Sequence, residues 1–297
     1  AVKQNPVLYG AYFQESWDYA LKGDPEFLYI NDWNEWTAMK FDLGPDAQWL
    51  GRINSFQFVD QYNMEFNRGI QPMRGGYTDN YYMQMAQNIR RYKGSRPIPE
   101  HTGYTECKID GRFGDWKNNL IEYRDTQGDI FHRNAKGYGG LNYINTSGRN
   151  DITTAKTAVG KQTISFYAET SNNITPHTDK NWMLLLIDAD NNSSTGWYVY
   201  DFIVNQNVKD NHTTTLKQYD NDKKEWNYVA DIAMCYSDNR LELSISRQHL
   251  NIMGDKLTLD FKWADNPDEL TDPISLCLNG DTAPNRRFNY RLIWNKE

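Results

Sequence analysis

Phe27-Leu28-Tyr29-Ile30-Asn31-Asp32-Trp33-Asn34-Glu35-Trp36 is the stretch on which the fold reading turns. Four apolar residues in succession read as a strand buried on both faces, the kind found in parallel sheets. Where the apolar run stops, two carboxylates and two indoles arrive within five positions. In an α/β barrel the catalytic groups stand at the C-terminal ends of the strands, so acids in that place point to a site. Carboxylates flanked by tryptophans suit sugar chemistry: indole faces stack on pyranose rings while an acid does proton or nucleophile work. The competing reading is a strand end with ordinary aromatic packing.

Upstream, residues 7–13 read as a strand and 14–21 as a short helix, with the strand at 26–31 following. That order is the β-α-β rhythm of a parallel sheet. Downstream, residues 42–76 carry scattered Gly, Pro and Asn and read as a long connection with some helix near 58–66. Asp79 reads as a helix cap, and Met83, Ala86, Ile89 and Arg90 keep helical spacing until Lys93-Gly94. Gly94-Ser95-Arg96-Pro97-Ile98-Pro99 reads as a linker, which sets residues 1–97 apart from 98–297.

Beyond the linker, strand signals dominate. Residues 163–169 and 241–245 alternate, while 182–187 form an apolar run. Further strands are predicted at 226–233, 257–264 and 288–294. The turn formers Asp188-Ala189-Asp190-Asn191-Asn192-Ser193-Ser194-Thr195-Gly196 join 182–187 to a returning strand at 197–205 as a long hairpin. Many short strands at this spacing predict an antiparallel β-sandwich. The expected fold is therefore α/β plus all-β, a partial (β/α) barrel segment followed by a sandwich. An eight-stranded barrel needs roughly 250 residues. Residues 1–97 would accordingly be the end of a longer barrel, or else something smaller.

Bulk properties narrow the function classes. The 297 residues carry 32 basic and 39 acidic side chains, a net charge of −7. With no long basic run, nucleic acid and anionic membrane surfaces are poor matches. No apolar segment approaches the roughly 18 residues of a spanning helix. Ten Trp, 20 Tyr and 12 Phe fit a carbohydrate-active protein, but an aromatic-rich sandwich core fits them equally. Cys107, Cys235 and Cys277 are odd in number and widely spaced, which argues against a disulfide framework. The chain opens at Ala1 without Met, as a cleaved signal or a truncation would leave it.

Three segments resemble, in order, the end of a glycoside-hydrolase barrel. They are Asn31-Asp32-Trp33-Asn34-Glu35-Trp36, Phe58-Val59-Asp60-Gln61-Tyr62-Asn63-Met64-Glu65-Phe66 and Asp79-Asn80-Tyr81-Tyr82. The likeness is to bacterial glycoside-hydrolase-like proteins related to the endo-mannosidase and mutanase-type clans, in which Trp33-Asn34-Glu35-Trp36 would close the final barrel strand. Residues 105–295 resemble a carbohydrate-binding module of the family-9 type. That likeness rests on Ile109-Asp110-Gly111, Asp115-Trp116, Leu184-Leu185-Leu186-Ile187-Asp188-Ala189-Asp190, Thr195-Gly196-Trp197 and Tyr200-Asp201-Phe202. Gly280-Asp281-Thr282-Ala283-Pro284 with Arg287-Phe288 matches the closing segment of the same bacterial proteins. The resemblance implies polysaccharide processing outside the cytoplasm (secreted, periplasmic or at the cell surface) by a glycoside hydrolase with an appended glycan-binding sandwich. The missing N-terminal part of its own barrel would then be a partner. The alternative is a non-catalytic carbohydrate-binding or interaction protein.

Candidate residues follow. Glu35 is the first choice for a catalytic acid, since Trp33 and Trp36 beside it would exclude water and raise its pKa as a general acid requires. Its other reading is a carboxylate bonded to neighbouring backbone. Glu15, after the strand at 7–13, would reach the same rim as Glu35 if the two strands are parallel, while Asp32 is a third acid or a strand-end cap. Trp33, Trp36, Trp197 and Tyr200 are candidate sugar platforms, with core packing as the alternative for the last two. Asp188, Asp190 and Asn192 alternate and offer oxygen ligands, so Ca²⁺ is the ion this pattern admits. An Asx-rich turn explains the same residues. Asp60, Glu65 and Arg68 lie in the long connection, where an acid–Arg pair would also serve to hold the loop.

Overall fold

The structure, a computed structural model, describes residues 9–34, 40–42, 48–49, 52–53, 56–58, 69–72, 79–94, 98–117, 120–136, 142–286 and 288–297. The chain forms two compact units, Ala1–Pro97 and Ile98–Glu297. Among the described residues no helix is long and apolar enough to cross a membrane.

In the first unit, helix α1 (Ala11–Gly23) begins immediately after Gly10, whose φ of 58° is left-handed. That φ favours glycine, and a Cβ there would also fall 2.1 Å from Gln84 Oε1, which would have to move. Short strands β1 (Lys40–Asp42) and β4 (Phe56–Phe58) pair antiparallel, as do β2 (Gln48–Trp49) and β3 (Arg52–Ile53). Helix α2 (Asn80–Lys93) places Arg90, Arg91 and Lys93 in its last turn, complementing the negative end of the helix dipole, and stops at Gly94. The two helices meet through amides. Gln14 Oε1 accepts from Gln84 Nε2 (3.1 Å) and from Asn88 Nδ2 (3.0 Å), and Gln14 Nε2 donates to Asn88 Oδ1 (3.2 Å). Phe13 adds ring contacts with Trp17 and Tyr81.

Two sequence expectations fail here. Helix α1 already includes residues 11–13, so no strand runs to Phe13. Residues 26–34 carry no strand at all, and the apolar run is not buried: Phe27 is 76 % and Tyr29 74 % exposed, with Leu28 and Ile30 half-buried. Without a hydrogen-bonded neighbour strand, an apolar run of four cannot hold sheet geometry. The pairings described in this unit are antiparallel, so the described residues do not display a β-α-β barrel unit. The helix expected near 58–66 lies outside the described residues, apart from Phe58, which ends β4.

The second unit is β-rich. Its strands are β5 (Glu100–Thr102), β6 (Glu122–Arg124), β7 (Arg133–Lys136), β8 (Asn142–Asn145), β9 (Ile152–Val159), β10 (Thr163–Thr170), β11 (Leu184–Asp188) and β12 (Phe202–Asp210). After them come β13 (Thr213–Asp220), β14 (Glu225–Ser237), β15 (Arg240–Ser246), β16 (Lys256–Asp265), the helical turn α3 (Ser275–Leu278), β17 (Asp281–Ala283) and β18 (Tyr290–Asn295). Twelve strands form one sheet in the order β5-β18-β16-β11-β12-β13-β14-β15-β10-β9-β6, with β17 on β16. The β18–β5 pair is parallel and the remaining pairs of this sheet are antiparallel.

The sheet curls until its ends meet. Tyr123 of β6, at one edge, packs 5.1 Å from both Phe261 and Tyr290, near the other edge, and its hydroxyl donates to Arg291 O at 3.1 Å. One core results, with Phe166, Trp182, Leu243, Phe261, Trp263 and Trp294 all at most 1 % exposed. Strand periodicity of two sorts the faces. Leu241, Leu243 and Ile245 enter this core. Strand β11 is buried on both faces, Leu185 and Ile187 inward, Leu184 and Leu186 into a second cluster with Trp197, Tyr200 and Leu276. A third cluster gathers Phe113, Trp116, Ala158 and Tyr167.

Candidate functional site

The Asp32–Trp33 segment is the described part of the acid-and-aromatic motif; Glu35 and Trp36 lie outside the described residues, as do Asp60, Glu65 and Arg68. Asp32 takes a φ of 75°, a region that Asp tolerates better than most residues. Its Oδ2 is buried and has no hydrogen-bond partner. Trp33 is 46 % exposed, and its ring meets Tyr82 edge-on at 5.8 Å. The Trp33 carbonyl accepts from the Ile70 and Gln71 amides, both at 3.0 Å. Asn34 Nδ2 donates to Gln71 Oε1 at 3.2 Å. A partly open indole is thus braced from behind and tied by backbone and amide bonds to the segment at 69–72.

Glu15 does not stand at a strand end. It is an exposed residue in the second turn of α1, because the chain is already helical from Ala11. The neighbouring carboxylate Asp18 is engaged instead, accepting from Gln14 Nε2 (2.9 Å) and Arg91 (3.1 Å). Those bonds, Gln14 first, lower its pKa.

In the second unit, the hairpin between β11 and β12 brings together Asp188, Asp190 and Asp201, one carboxylate oxygen of each lying within 4.8 Å of the others. Asp188 is buried, Asp190 exposed and Asp201 half-buried. Burial pushes Asp188 up to about 6, with Asp201, Asp260 and Asp190 repelling its charge. Asp201 is raised as well, by burial first. Each acid also serves the turn. Asp188 Oδ1 accepts from Asn191 N (2.7 Å), Asp190 Oδ1 from Asn192 N (2.8 Å), and Asp201 Oδ2 from Ala189 N (2.8 Å).

Asn192, expected as the third ligand, spends its Oδ1 on Ser194 N at 3.0 Å. Asp201 is the third carboxylate of the group. The Asp201 amide donates to Ile187 O (2.8 Å), so it is the register of the returning strand that sets Asp201 beside Asp188. Oxygen-only donors of this kind could hold a hard cation such as Ca²⁺.

Trp197 and Tyr200 are not platforms. They are 8 % and 2 % exposed, stack toward each other at 6.4 Å, and Trp197 also lies 6.3 Å from Trp226. Tyr200 donates to Asn289 Oδ1 at 2.7 Å. They are drawn inward because β11 has a second apolar face, Leu184 and Leu186, that needs cover. Gly196 (φ 74°) permits the tight return, since a Cβ would fall 2.5 Å from the Tyr200 carbonyl. Among the described residues, the open aromatics in this unit are Tyr104 (37 %), Phe131 (61 %), Tyr198 (59 %) and Tyr228 (60 %). Comparisons with protein-family models, with curated proteins and with solved structures yield no match for this chain.

Proposed function

We propose that the chain acts on polysaccharide outside the cytoplasm, as part of a glycoside hydrolase whose second unit is a glycan-binding β-sandwich. Glu35 is the acid in this reading, Asp32 assists it, and Trp33 with Trp36 presents ring faces to a sugar. The observation that carries the reading is the braced, half-open Trp33 next to Asp32, whose buried Oδ2 lacks a partner. Sugar sites combine such an apolar ring with nearby carboxylate and amide groups, because a pyranose has both C–H faces and equatorial hydroxyls. Glycosidic cleavage then asks for two carboxyls, about 5–5.5 Å apart for retention and 6.5–9.5 Å for inversion.

Reducing-sugar release from mannans, glucans and host-type glycans tests the proposal, comparing the full chain with Glu35→Gln and Trp33→Ala. Release abolished by Glu35→Gln and weakened at least tenfold by Trp33→Ala is the expected result. Release that survives Glu35→Gln removes that residue from catalysis. A wild type that releases no sugar, yet is retarded in gels containing one of these polysaccharides, would be a non-catalytic glycan-binding protein. Absence of both release and retardation would sink the polysaccharide reading.

A further inference from the structure

Four aspartates from separate parts of the second unit converge beneath the curl of the sheet. Asp125 follows β6, Asp129 lies four residues on, Asp151 precedes β9, and Asp281 opens β17. Carboxylate oxygens of Asp125, Asp129 and Asp281 lie within 4.8 Å of one another. Their outer oxygens are tied down. Asp281 Oδ2 accepts from Ile152 N (2.7 Å) and Oδ1 from Thr282 N (2.8 Å). Asn285 Nδ2 donates to Asp125 Oδ1 (3.0 Å) and to Asp129 Oδ2. Asp151 Oδ2 accepts from Gly128 N (2.9 Å).

The remaining oxygens are not. Asp125 Oδ2, Asp129 Oδ1 and Asp151 Oδ1 are buried without a hydrogen-bond partner. An independent group faces the same place. Tyr290 is 9 % exposed and its buried hydroxyl also has no partner. Burial raises its pKa, and the charges of Asp125, Asp281 and Asp129 raise it further, which places the phenol in the field of those three carboxylates. Burying unpaired acceptors and an unpaired hydroxyl is costly, and native proteins leave few of them.

Neighbouring basic side chains are engaged elsewhere. Lys262 Nζ, whose charge acts on Asp125, donates to Pro284 O, and Arg133, whose charge acts on Asp129, donates to the carbonyls of Cys277 (2.9 Å) and Gly280 (2.8 Å). Among the described residues none of the four aspartates forms an ion pair.

We propose that Asp125, Asp129 and Asp281 ligate one divalent cation, with Asp151 and Tyr290 completing its surroundings directly or through water. All the donors are oxygen, which selects a hard ion over zinc or copper. Ca²⁺ sits about 2.4 Å from its ligands and accepts irregular sets of six to eight, so any two ligands are at most about 4.8 Å apart. The cluster meets that limit. The ion would clamp β17 and the loops that precede β9 and follow β6, where the sheet closes on itself.

The test is Ca²⁺ titration by calorimetry of the EDTA-treated full chain, with tyrosine- and tryptophan-sensitised Tb³⁺ luminescence alongside. The variants are Asp125→Asn, Asp129→Asn and, at the other acidic group, Asp190→Asn with Asp201→Asn. Saturable binding that weakens at least tenfold in both cluster variants, while the Asp190/Asp201 double variant keeps it, is expected. Wild type without saturable binding, or cluster variants that bind as wild type does, overturns the proposal. Should the cluster variants fail to fold, the double variant decides: binding retained there upholds the site, and binding lost there transfers the ion to the hairpin and ends the proposal.

Discussion

Trp116 and Glu242 lie 126 residues apart, yet the Trp116 indole donates a 2.7 Å bond to Glu242 Oε2. The other carboxylate oxygen of Glu242 accepts from Asp110 N (2.9 Å) and Gly111 N (2.7 Å). Glu242 is 0 % exposed and sits on the face of β15 opposite the main core. It is the anchor that seats the loop before β6, Trp116 included, on the sheet. Burial outweighs these three donors and raises the Glu242 pKa.

Glu242→Gln keeps the shape but turns an amide N–H₂ or a lone acceptor against three N–H donors. One donor is left unsatisfied, at a cost of about 1–3 kcal/mol. The urea midpoint is therefore expected to fall. The pH dependence has a definite sign. Because the folded pKa lies above the unfolded value of 4.5, the folded state binds more protons in that interval, and wild-type stability declines as pH rises through it. Gln does not titrate, so the penalty of the variant should be largest below pH 4.5 and shrink above it. A penalty that grows with pH would contradict the raised pKa.

Arg149 and Asp265 form a fork-to-fork pair, with Nε to Oδ2 at 2.8 Å and an Nη to Oδ1 at 3.2 Å. Asp265 is 0 % exposed and also accepts from Met183 N at 2.8 Å. Arg149→Ala strands a buried carboxylate, which costs about 3–5 kcal/mol. Arg149→Lys should recover only part of that, since an ammonium cannot span both oxygens. Denaturation of the three proteins side by side checks this, and equal stability of Arg149→Lys and wild type would show that the fork is unimportant.

Trp197 and Tyr198 are adjacent and face opposite fates, 8 % and 59 % exposed. Trp197→Ala should destabilise by about 3–5 kcal/mol, as loss of a buried indole does. Tyr198→Ala should stay within about 0.5 kcal/mol. If the second unit retains polysaccharide, Tyr198→Ala is the change expected to reduce retardation in glycan-containing gels without lowering the melting temperature. A Trp197→Ala protein as stable as wild type would refute the packing described for it.

Three free thiols should be quiet in the folded chain. Burial pushes Cys107 up to about 12, with Asp115, Glu242 and Glu106 opposing the thiolate, and burial raises Cys235 and Cys277 too. The reactive species is the thiolate. Alkylation at pH 8 should be slow for all three and become fast in urea. Rapid labelling of the native protein would overturn this.

Strand positions in the second unit were legible from side-chain alternation. Residues 163–169, 241–245 and 257–264 lie inside β10, β15 and β16, and α2 runs from the residue after Asp79 to the residue before Gly94. These follow from local rules, namely period two on a half-buried strand and a glycine stop. Local rules failed at residues 27–30, where apolar content without a partner strand produced an irregular, exposed segment.

The sequence by itself determined that the chain is β-rich after residue 98 and where about half of its strands lie, because backbone periodicity and turn chemistry act over a few residues. Tertiary structure alone decided which chemistry meets. Asp201 joined Asp188 and Asp190 through hairpin register. Trp197 turned inward to cover the second face of β11. Asp125, Asp129, Asp151 and Asp281 converged because the sheet curls β6 back onto β18. Such meetings depend on how strands order and close, and no spacing along the chain encodes a distance across the sheet.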